Sequence, residues 1–498
     1  MTADLQAQPG TGPPRPLRDP AYELWDGLVW AGRGIPASAV ARAALSLSAD
    51  RGRPRLGWVT PVPWPQVERR LAEAGVPVPG GGDGLLVAAT GGWAFASRAA
   101  AECSATPERL LVADTLDACQ VSHLVATAKR WAAVTILTIS ASGQTFETRL
   151  LAEAIAIACA ERGTGHALTE AGTPGGLSLR PGSVVNALYG APLSVPFAMA
   201  CAATGMARFR LAYEWFCQAS GHGGAAAAGL AWEVPARRTP PLHVVLPRGT
   251  CEGTRLWALQ VLRQSLGGRP AGRIWCDVSV EGSAQPGFQP DPAATTLRLA
   301  DALPSACTWQ ADSAPVPAAG AAALAQSMIT MYTVAVLAAC LGVRCGVGFA
   351  SHPAVARYKA FLERPPGSVP PGCPQVRADG EGIVKAAALW LAGHPELSGA
   401  HLVRYDGEAP EISAAQLSEQ TGRRWEVHAG SRWNHHSYQA VQGESATGVV
   451  AVTGRPGTAH PTGDVRLDRA LAALTGHQAA IARATCASLA PRALLVTR

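Results

Sequence analysis

Short apolar runs alternate with amphipathic stretches between residues 84 and 163. Runs of β-branched and aliphatic residues bounded by turn residues are typical of buried strands, whereas apolar positions three or four residues apart are typical of helices. Because the two patterns alternate with short connections, they predict a parallel sheet that helices cover on both faces. The predicted strands are GLLVAAT, RLLVADT and AAVTILTIS, and the predicted helices are ASRAAAEC, DACQVSHLVATAKRW and TFETRLLAEAIAIACAERG.

A second cycle of the same kind begins at PLHVVLPRG (241–249) and ends in a long apolar helix near 323–342. After the Pro/Gly-rich break at 363–374, the pieces HLVRYD and GVVAVTG predict further strands before a final helix. The chain therefore predicts an α/β protein with two α/β/α sandwiches built on parallel sheets. The expected parts are a Pro-rich disordered tail (1–20), an N-terminal helical segment (21–79), a first sandwich (80–240), the main part of a second (241–362), and a C-terminal section that completes it (363–498).

Composition excludes several classes of protein. The chain has 498 residues, of which 48% are hydrophobic and 16% charged, so disorder is excluded for most of its length. The net charge of +6 is spread along the chain without a basic cluster, which gives no sign of nucleic-acid binding.

Cysteine spacing and the N-terminal residues point to the cytoplasm. The twelve cysteines form no CxxC pair and no Cys/His cluster with zinc spacing, so we expect reduced thiols and no metal. The start MTADLQAQPGTGPP lacks the pattern of a signal peptide. Two apolar stretches, 187–207 and 323–342, are interrupted by Pro, Gly, Ser or Gln, and we expect them to be buried helices rather than membrane spans.

The segment TILTISASGQTFET (135–148) places small hydroxyl residues where a strand ends and a helix begins. In a parallel sheet this position offers free backbone N–H groups and a favourable helix dipole to an anion. Ser140, Ser142 and Thr145 would add hydroxyl donors, and Gly143 would allow a tight approach. The alternative is that these hydroxyls only cap the helix. No GxGxxG or GxxxxGK[ST] follows a strand, so the sequence supports a phosphate site and predicts no nucleotide cofactor.

The segment SASGQTFET resembles the phosphate loop of sugar isomerase (SIS) domains. The order of motifs from about residue 20 to 498 is similar to that of phosphoglucose isomerase. The resemblance is strongest to the isomerase half of bifunctional transaldolase/phosphoglucose isomerases. This resemblance implies two SIS domains, a small-molecule phosphosugar substrate, no cofactor, and a homodimer. The other segments that carry it are TGGWAFASRAA (90–100), LLVADTLDACQVSHLV (110–125), GGLSLRPGSVVNALYGAP (175–192), HVVLPRGTCEGTRLWALQVLRQSLGG (243–268), GVGFASHPAVARYK (346–359) and WNHHSYQAVQGESATGVVAV (433–452).

The resemblance also implies site residues. The family's catalytic glutamate falls at Gln264, and an amide cannot abstract a proton from carbon. Lys359 matches the ring-opening lysine, although a solvated helix residue is the alternative. His436 matches the histidine that assists ring opening, with a packed or metal-scavenging surface histidine as the alternative. The remaining positions are Arg180 for the arginine that stabilises the enediolate, Glu147 at the start of the loop's helix, Gly91 and Gly92 in the Gly-Gly loop, and His352 in place of a glutamine.

The sequence is compatible with two functions. The first is an aldose–ketose isomerase for a sugar or aminosugar phosphate that moves its proton through a group other than Gln264, such as His436, His352 or Glu147. The second is a protein that binds a sugar phosphate as a regulatory signal without converting it.

Overall fold

The computed structural model describes most of the chain from residue 49 onward. The described residues are 49–50, 53–54, 58–80, 82–104, 106–172, 176–180, 191–235, 241–267, 274–283, 291, 293–303, 318–349, 355–362, 373–454 and 462–498. The predicted disordered tail and the first part of the predicted N-terminal helical segment lie outside these residues.

The described chain begins with a small antiparallel pair and one helix, followed by a parallel sheet. The sheet order is β4-β3-β5-β6, and its strands occur where the apolar runs predict them. Helices follow β3, β4 and β5, which confirms the predicted alternation. The elements are β1 (Ala49–Asp50), β2 (Arg53–Pro54), α1 (Trp64–Glu73), β3 (Gly84–Ala89), α2 (Gly92–Glu102), β4 (Leu110–Ala113), α3 (Ala118–Ala128), β5 (Val134–Ile139), α4 (Phe146–Ala158) and β6 (Gly163–Leu168), with a 3-10 turn at Pro107–Arg109.

The middle of the chain is mainly helical around a three-stranded parallel sheet of order β8-β7-β9. Long helices α6 and α9 pack against each other, and α7 packs against α2 of the first sheet. The elements are a 3-10 turn (Ala191–Leu193), α5 (Val195–Ala203), α6 (Met206–Glu233), β7 (Leu242–Leu246), α7 (Glu252–Leu266), β8 (Cys276–Val280), β9 (Thr295–Arg298), α8 (Leu299–Ala302), α9 (Ala318–Cys345) and α10 (Val355–Leu362).

The C-terminal section forms a five-stranded parallel sheet of its own, with order β10-β14-β13-β11-β12. We expected residues 241–362 to hold the main part of the second sandwich, but the larger sheet of the second half lies after residue 374. The elements are β10 (Gln375–Arg377), α11 (Glu381–Ala392), β11 (Gly399–Arg404), α12 (Ala414–Thr421), β12 (Arg424–Ala429), α13 (Gly430–His436), α14 (Tyr438–Gly443), β13 (Thr447–Thr453), α15 (Val465–Leu489) and β14 (Ala493–Thr497).

Strand β3 shows how the core is divided. Successive side chains of a strand point to opposite faces. Leu85 and Val87 accordingly belong to the apolar cluster that contains α6 and α9, whereas Leu86 and Ala88 belong to the cluster that α15 and β13 share. The first sheet is therefore covered on both faces, which confirms the α/β architecture with parallel sheets.

Helix α9 occupies the centre of the larger core. Residues 320–345 are long and apolar enough to cross a membrane by length and composition alone. In the folded chain 83% of the most apolar window of this helix is buried.

Two glycines of α6 give a matched test of the packing between α6 and α9. A Cβ built on Gly223 lies 2.5 Å from Thr333 Oγ1 of α9, whereas one built on Gly229 has nothing within 4 Å. We expect Gly229→Ala to stabilise the protein by about 0.5–1 kcal/mol through helix propensity. Gly223→Ala should lower the thermal midpoint, because overpacking destabilises the protein by about 1–3 kcal/mol, which is more than the gain in helix propensity. Equal rises in the two midpoints would contradict the close approach of the helices.

Candidate functional site

The crevice of the first sheet lies between β3 and β5. The chain leaves β3 toward β4 on one side and leaves β5 toward β6 on the other. Open parallel sheets bind ligands at such a switch point, beyond the carboxyl ends of the strands. The loops that border it are 90–92 and 140–145, both of which the sequence predicts as part of a site.

The second loop leaves the start of α4 available to a ligand. Ser140 Oγ donates to Thr145 Oγ1 at 3.0 Å, and Ser142 Oγ accepts from the Gln144 N–H at 3.1 Å. Thr145 occupies the N-cap position but makes no side-chain capping bond. Gly143 adopts φ +68°, which suits glycine at the turn. Among the described residues these hydroxyls therefore do not cap α4, and the first N–H groups of the helix stay available to an anion.

The first loop brings two distant helices to the crevice. Gly91 adopts φ +63° at the N-cap of α2, and Gly92 begins the helix and is buried. A Cβ built on Gly91 would lie 3.1 Å from Gln260 Nε2 and 3.2 Å from His435 Nδ1. The positive φ and these short distances together favour glycine where the loop passes α7 and α13.

His435 borders the crevice, and charged groups near it act on the pKa of its imidazole. Burial lowers the pKa of its imidazole, the Glu147 carboxylate raises it in part, and the Lys359 charge lowers it again. Glu147 is buried in the first turn of α4, and Lys359 is exposed on α10. The structure thus brings two predicted residues, Glu147 and Lys359, into electrostatic reach of His435, which the sequence motifs do not predict as a site residue.

Two glutamines on one face of α7 are hydrogen-bonded to each other. Gln264 is buried, and its Oε1 accepts from Gln260 Nε2 at 3.0 Å. Gln260 Oε1 is buried and has no hydrogen-bond partner among the described residues. Gln260 therefore stands between Gln264 and the Gly91 loop. Its position one helical turn before Gln264 is the signal that could have identified it.

His436 points away from its neighbour into a buried polar cluster. Its Nδ1 lies 2.7 Å from Ser437 Oγ, which in turn accepts from Arg263 Nη1 at 2.7 Å. Ser437 Oγ therefore links the ring of His436 to the guanidinium of Arg263. The ring centroid of His436 is 5.0 Å from that of His428. The side chains of the adjacent histidines therefore lie in different places: His435 lies against Gly91, whereas the predicted His436 belongs to the polar cluster.

Arg263 is the centre of that cluster. It is 1% exposed, and all five of its N–H groups donate. Burial alone would raise the pKa of Glu426, but the guanidinium of Arg263 and its other neighbours hold it well below its ordinary range. The five bonds go to Cys276 O (2.8 Å), Asp277 Oδ1 (3.0 Å), Ser437 Oγ (2.7 Å), and Glu426 Oε1 and Oε2 (2.8 and 2.9 Å).

The trio His401, Glu426 and His428 has ligand atoms within 4.8 Å of one another, as a metal site would. His401 Nδ1 accepts from Trp433 Nε1 at 2.8 Å, so the neutral ring carries its proton on the Nε2 that faces Glu426. Arg263 and Arg424 also neutralise the carboxylate. The donor set therefore fits a buried ion-pair network better than a cation site.

Two predicted residues are not joined to the crevice by the described contacts. Arg180 is half-buried in a turn, where its backbone N–H donates to Ser178 Oγ at 3.1 Å. His352 lies outside the described residues. Their roles stay predictions.

Comparisons with known proteins give only distant likenesses. No protein-family model matches the chain, and no curated protein matches its sequence. A hypothetical protein from Thermus thermophilus is similar in structure, with 15% identity, a TM-score of 0.39, and coverage of 69% of this chain and 94% of that one. A protein from Salmonella typhimurium, provisionally assigned as a phosphosugar isomerase, has 11% identity, a TM-score of 0.32, and coverage of 59% of this chain and 95% of its own. Overlaps of this size do not establish a shared fold or function.

The buried histidines predict how stability depends on pH. Burial lowers the pKa of His401, His428 and His436. Unfolded histidines titrate near pH 6.5, so below about that pH the unfolded state takes up protons that the native state does not, and stability falls. We expect the thermal midpoint to drop between pH 7.5 and 5.5, with each histidine contributing at most about 1.4 kcal/mol per pH unit.

The matched variants are His428→Gln, which should reduce this slope, and His123→Gln at an exposed position, which should not. A midpoint that is flat or rises on acidification would contradict the assignment of neutral buried histidines.

Proposed function

We propose that the crevice at the carboxyl ends of β3 and β5 binds a phosphosugar, with its phosphate in the loop 140–145. The observation that carries this proposal is the uncapped start of α4 beside the hydroxyls of Ser140, Ser142 and Thr145. A phosphate dianion accepts several hydrogen bonds and is stabilised by the positive end of the helix dipole. The resemblance of SASGQTFET to the SIS phosphate loop agrees with this placement.

The reaction that fits the crevice is aldose–ketose isomerisation through an enediol, with His435 as the base. Its lowered pKa keeps the imidazole neutral at pH 7, so it can accept a proton. In the proposed step His435 takes the proton from C2 of the open-chain aldose and returns it to C1, while a proton moves from the C2 hydroxyl to the C1 oxygen. Glu147 stabilises the imidazolium that forms in between, and Lys359 acts in ring opening. Gln264 and Gln260 hold substrate oxygens and do not move the proton.

A second candidate function is binding without conversion. The observation that favours it is the pair of amides on α7, since the resemblance places the catalytic carboxylate at Gln264 and the side chain there is engaged by Gln260. In that case the crevice would hold a sugar phosphate as a signal, and His435 would serve only as a hydrogen-bonding group.

The loop is tested by the double substitution Ser140→Ala/Ser142→Ala. If both hydroxyls donate to phosphate, losing two charge-assisted hydrogen bonds should weaken sugar-phosphate binding roughly a hundredfold, with little change in thermal midpoint. The measurement is isothermal titration with fructose 6-phosphate and glucose 6-phosphate. Ser413→Ala, which removes a capping serine of α12, is the matched control and should leave affinity unchanged. Unchanged affinity in the double variant would remove the loop from the site.

Catalysis is tested by proton exchange. Purified protein is incubated in D₂O with aldose and ketose phosphates, and NMR follows deuterium incorporation at C1 and C2. We expect exchange that falls by about 10²–10⁴ in His435→Asn, the usual effect of losing a general base. His394→Asn, at another half-buried histidine, should leave the rate unchanged. Gln264→Glu should raise the rate by supplying a carboxylate as a base in addition to His435.

Saturable binding without any exchange would support the second function instead. Exchange that is unaffected by His435→Asn would show that another group is the base.

A further inference from the structure

Two cysteine side chains meet where α2 ends and α7 begins. Cys103 is the C-cap residue of α2, and Cys251 is the N-cap residue of α7. They are 148 residues apart in sequence, yet the Cys103 thiol donates to Cys251 Sγ across 3.7 Å. Both are free thiols in the structure. The two sulfur atoms are therefore in contact but not bonded, since an S–S bond is about 2.0 Å long.

The packing of the two helices brings the thiols together. A Cβ built on Gly253 would lie 2.4 Å from Ala99 N, so the start of α7 passes close to α2 one turn before Cys103. The Gly253 N–H also donates to Glu102 Oε2 at 2.7 Å. Because these contacts involve the backbones of the helices, the proximity of the two thiols follows from how α2 and α7 pack against each other.

The surroundings of Cys251 favour its thiolate over that of Cys103. The hydrogen bond from Cys103 lowers the pKa of the Cys251 thiol, burial and Glu102 oppose it, and the hydroxyl and backbone N–H of Thr254 lower it further. Thr254 Oγ1 lies 3.1 Å from Cys251 Sγ. The hydrogen bond to Cys251 and burial raise the pKa of the Cys103 thiol. Cys251 is half-buried and Cys103 is buried, so the more acidic thiol is also the more exposed one.

We propose that Cys103 and Cys251 form a reversible disulfide when the protein meets hydrogen peroxide. The Cys251 thiolate attacks one peroxide oxygen and the O–O bond breaks, which leaves a sulfenic acid and a hydroxide that takes up a proton to form water. The Cys103 thiol then loses its proton and attacks the Cys251 sulfur. The S–S bond forms, the S–O bond breaks, and the departing hydroxide takes that proton to form a second water. Both sulfur atoms are thus oxidised and the peroxide is reduced.

The disulfide would join two helices that also border the crevice of the first sheet. Gly91 is the N-cap residue of α2, and Gln260 of α7 lies close to it. Cys251 precedes Gln260 by nine residues, which is about 13 Å at about 1.5 Å per helical residue. The disulfide would therefore form outside the crevice, and the proposal does not depend on the function proposed there.

The test is oxidation of the reduced full-length protein. The folded protein is treated with hydrogen peroxide at neutral pH, its remaining thiols are alkylated, and its peptides are mapped by mass spectrometry without reductant. We expect a linked pair of peptides that contains Cys103 and Cys251 and that dithiothreitol separates. Absence of this link would overturn the proposal. So would a link found only between Cys373 and Cys486, a second pair of neighbouring thiols.

Two variants assign the roles of the thiols. In Cys103→Ser the serine hydroxyl can still donate to the Cys251 thiolate but cannot resolve the sulfenic acid, so dimedone should label Cys251 after peroxide treatment. Cys251→Ser should lose the disulfide completely. Cys119→Ser, which replaces an exposed cysteine whose pKa is raised by burial of its thiol, is the matched control and should form the disulfide at the wild-type rate. Dimedone labelling of Cys119 but not of Cys251 in Cys103→Ser would overturn the proposal.

Discussion

The buried guanidinium of Arg263 joins parts of the chain that are far apart in sequence. It lies in α7 and bonds to the β8 pair Cys276 and Asp277, to Glu426 of β12, and to Ser437 between α13 and α14. Breaking a buried ion pair by removing one partner typically destabilises a protein by about 3–5 kcal/mol, because the other charge is left unpaired. The same bonds fix how α7 is rotated, since Arg263 is directly followed by Gln264. The geometry of both candidate site helices, α7 and α13, therefore depends on this one side chain.

Parallel strand order gives each of the two large sheets a place for a ligand at the carboxyl ends of its strands. Each large sheet reverses its order once, between β3 and β5 and between β11 and β13. The chemistry of each crevice then depends on the loops that the strands feed. The loop after β5 offers hydroxyls and an open helix start, whereas the turn after β11 offers Asp406 and Glu408. The open helix start after β5 favours a phosphate, whereas Asp406 after β11 is already paired with Arg498.

Local patterns account for what the sequence predicts correctly. The strands of the first sheet are short apolar runs, and the turn at Gly143 uses a residue that tolerates positive φ, so both can be read from neighbouring residues. The sequence also predicts strands at β11 and β13, but not that they form a sheet separate from that of β7, because pairing depends on which of several similar apolar runs meet. The bond between Arg263 and Glu426 spans 163 residues, and no local pattern indicates such a partner.

The different surroundings of His435 and His436 show the same limit at a finer scale. Adjacent helix residues point about 100° apart, so a motif read as His-Ser-Tyr-Gln fixes the type of residue but not which neighbour faces the crevice. Rotation of α13 sets that choice, and it follows from His436 being drawn to Ser437 and His428 in the polar cluster. Because both rings are largely removed from water, both have lowered pKa values. His436 has the Glu426 carboxylate and the Arg263 guanidinium within electrostatic reach, whereas His435 has the Glu147 carboxylate, the Lys359 ammonium and a glycine loop against its ring. The proposed function assigns the proton transfer to His435 because its ring is the one that borders the loop at Gly91.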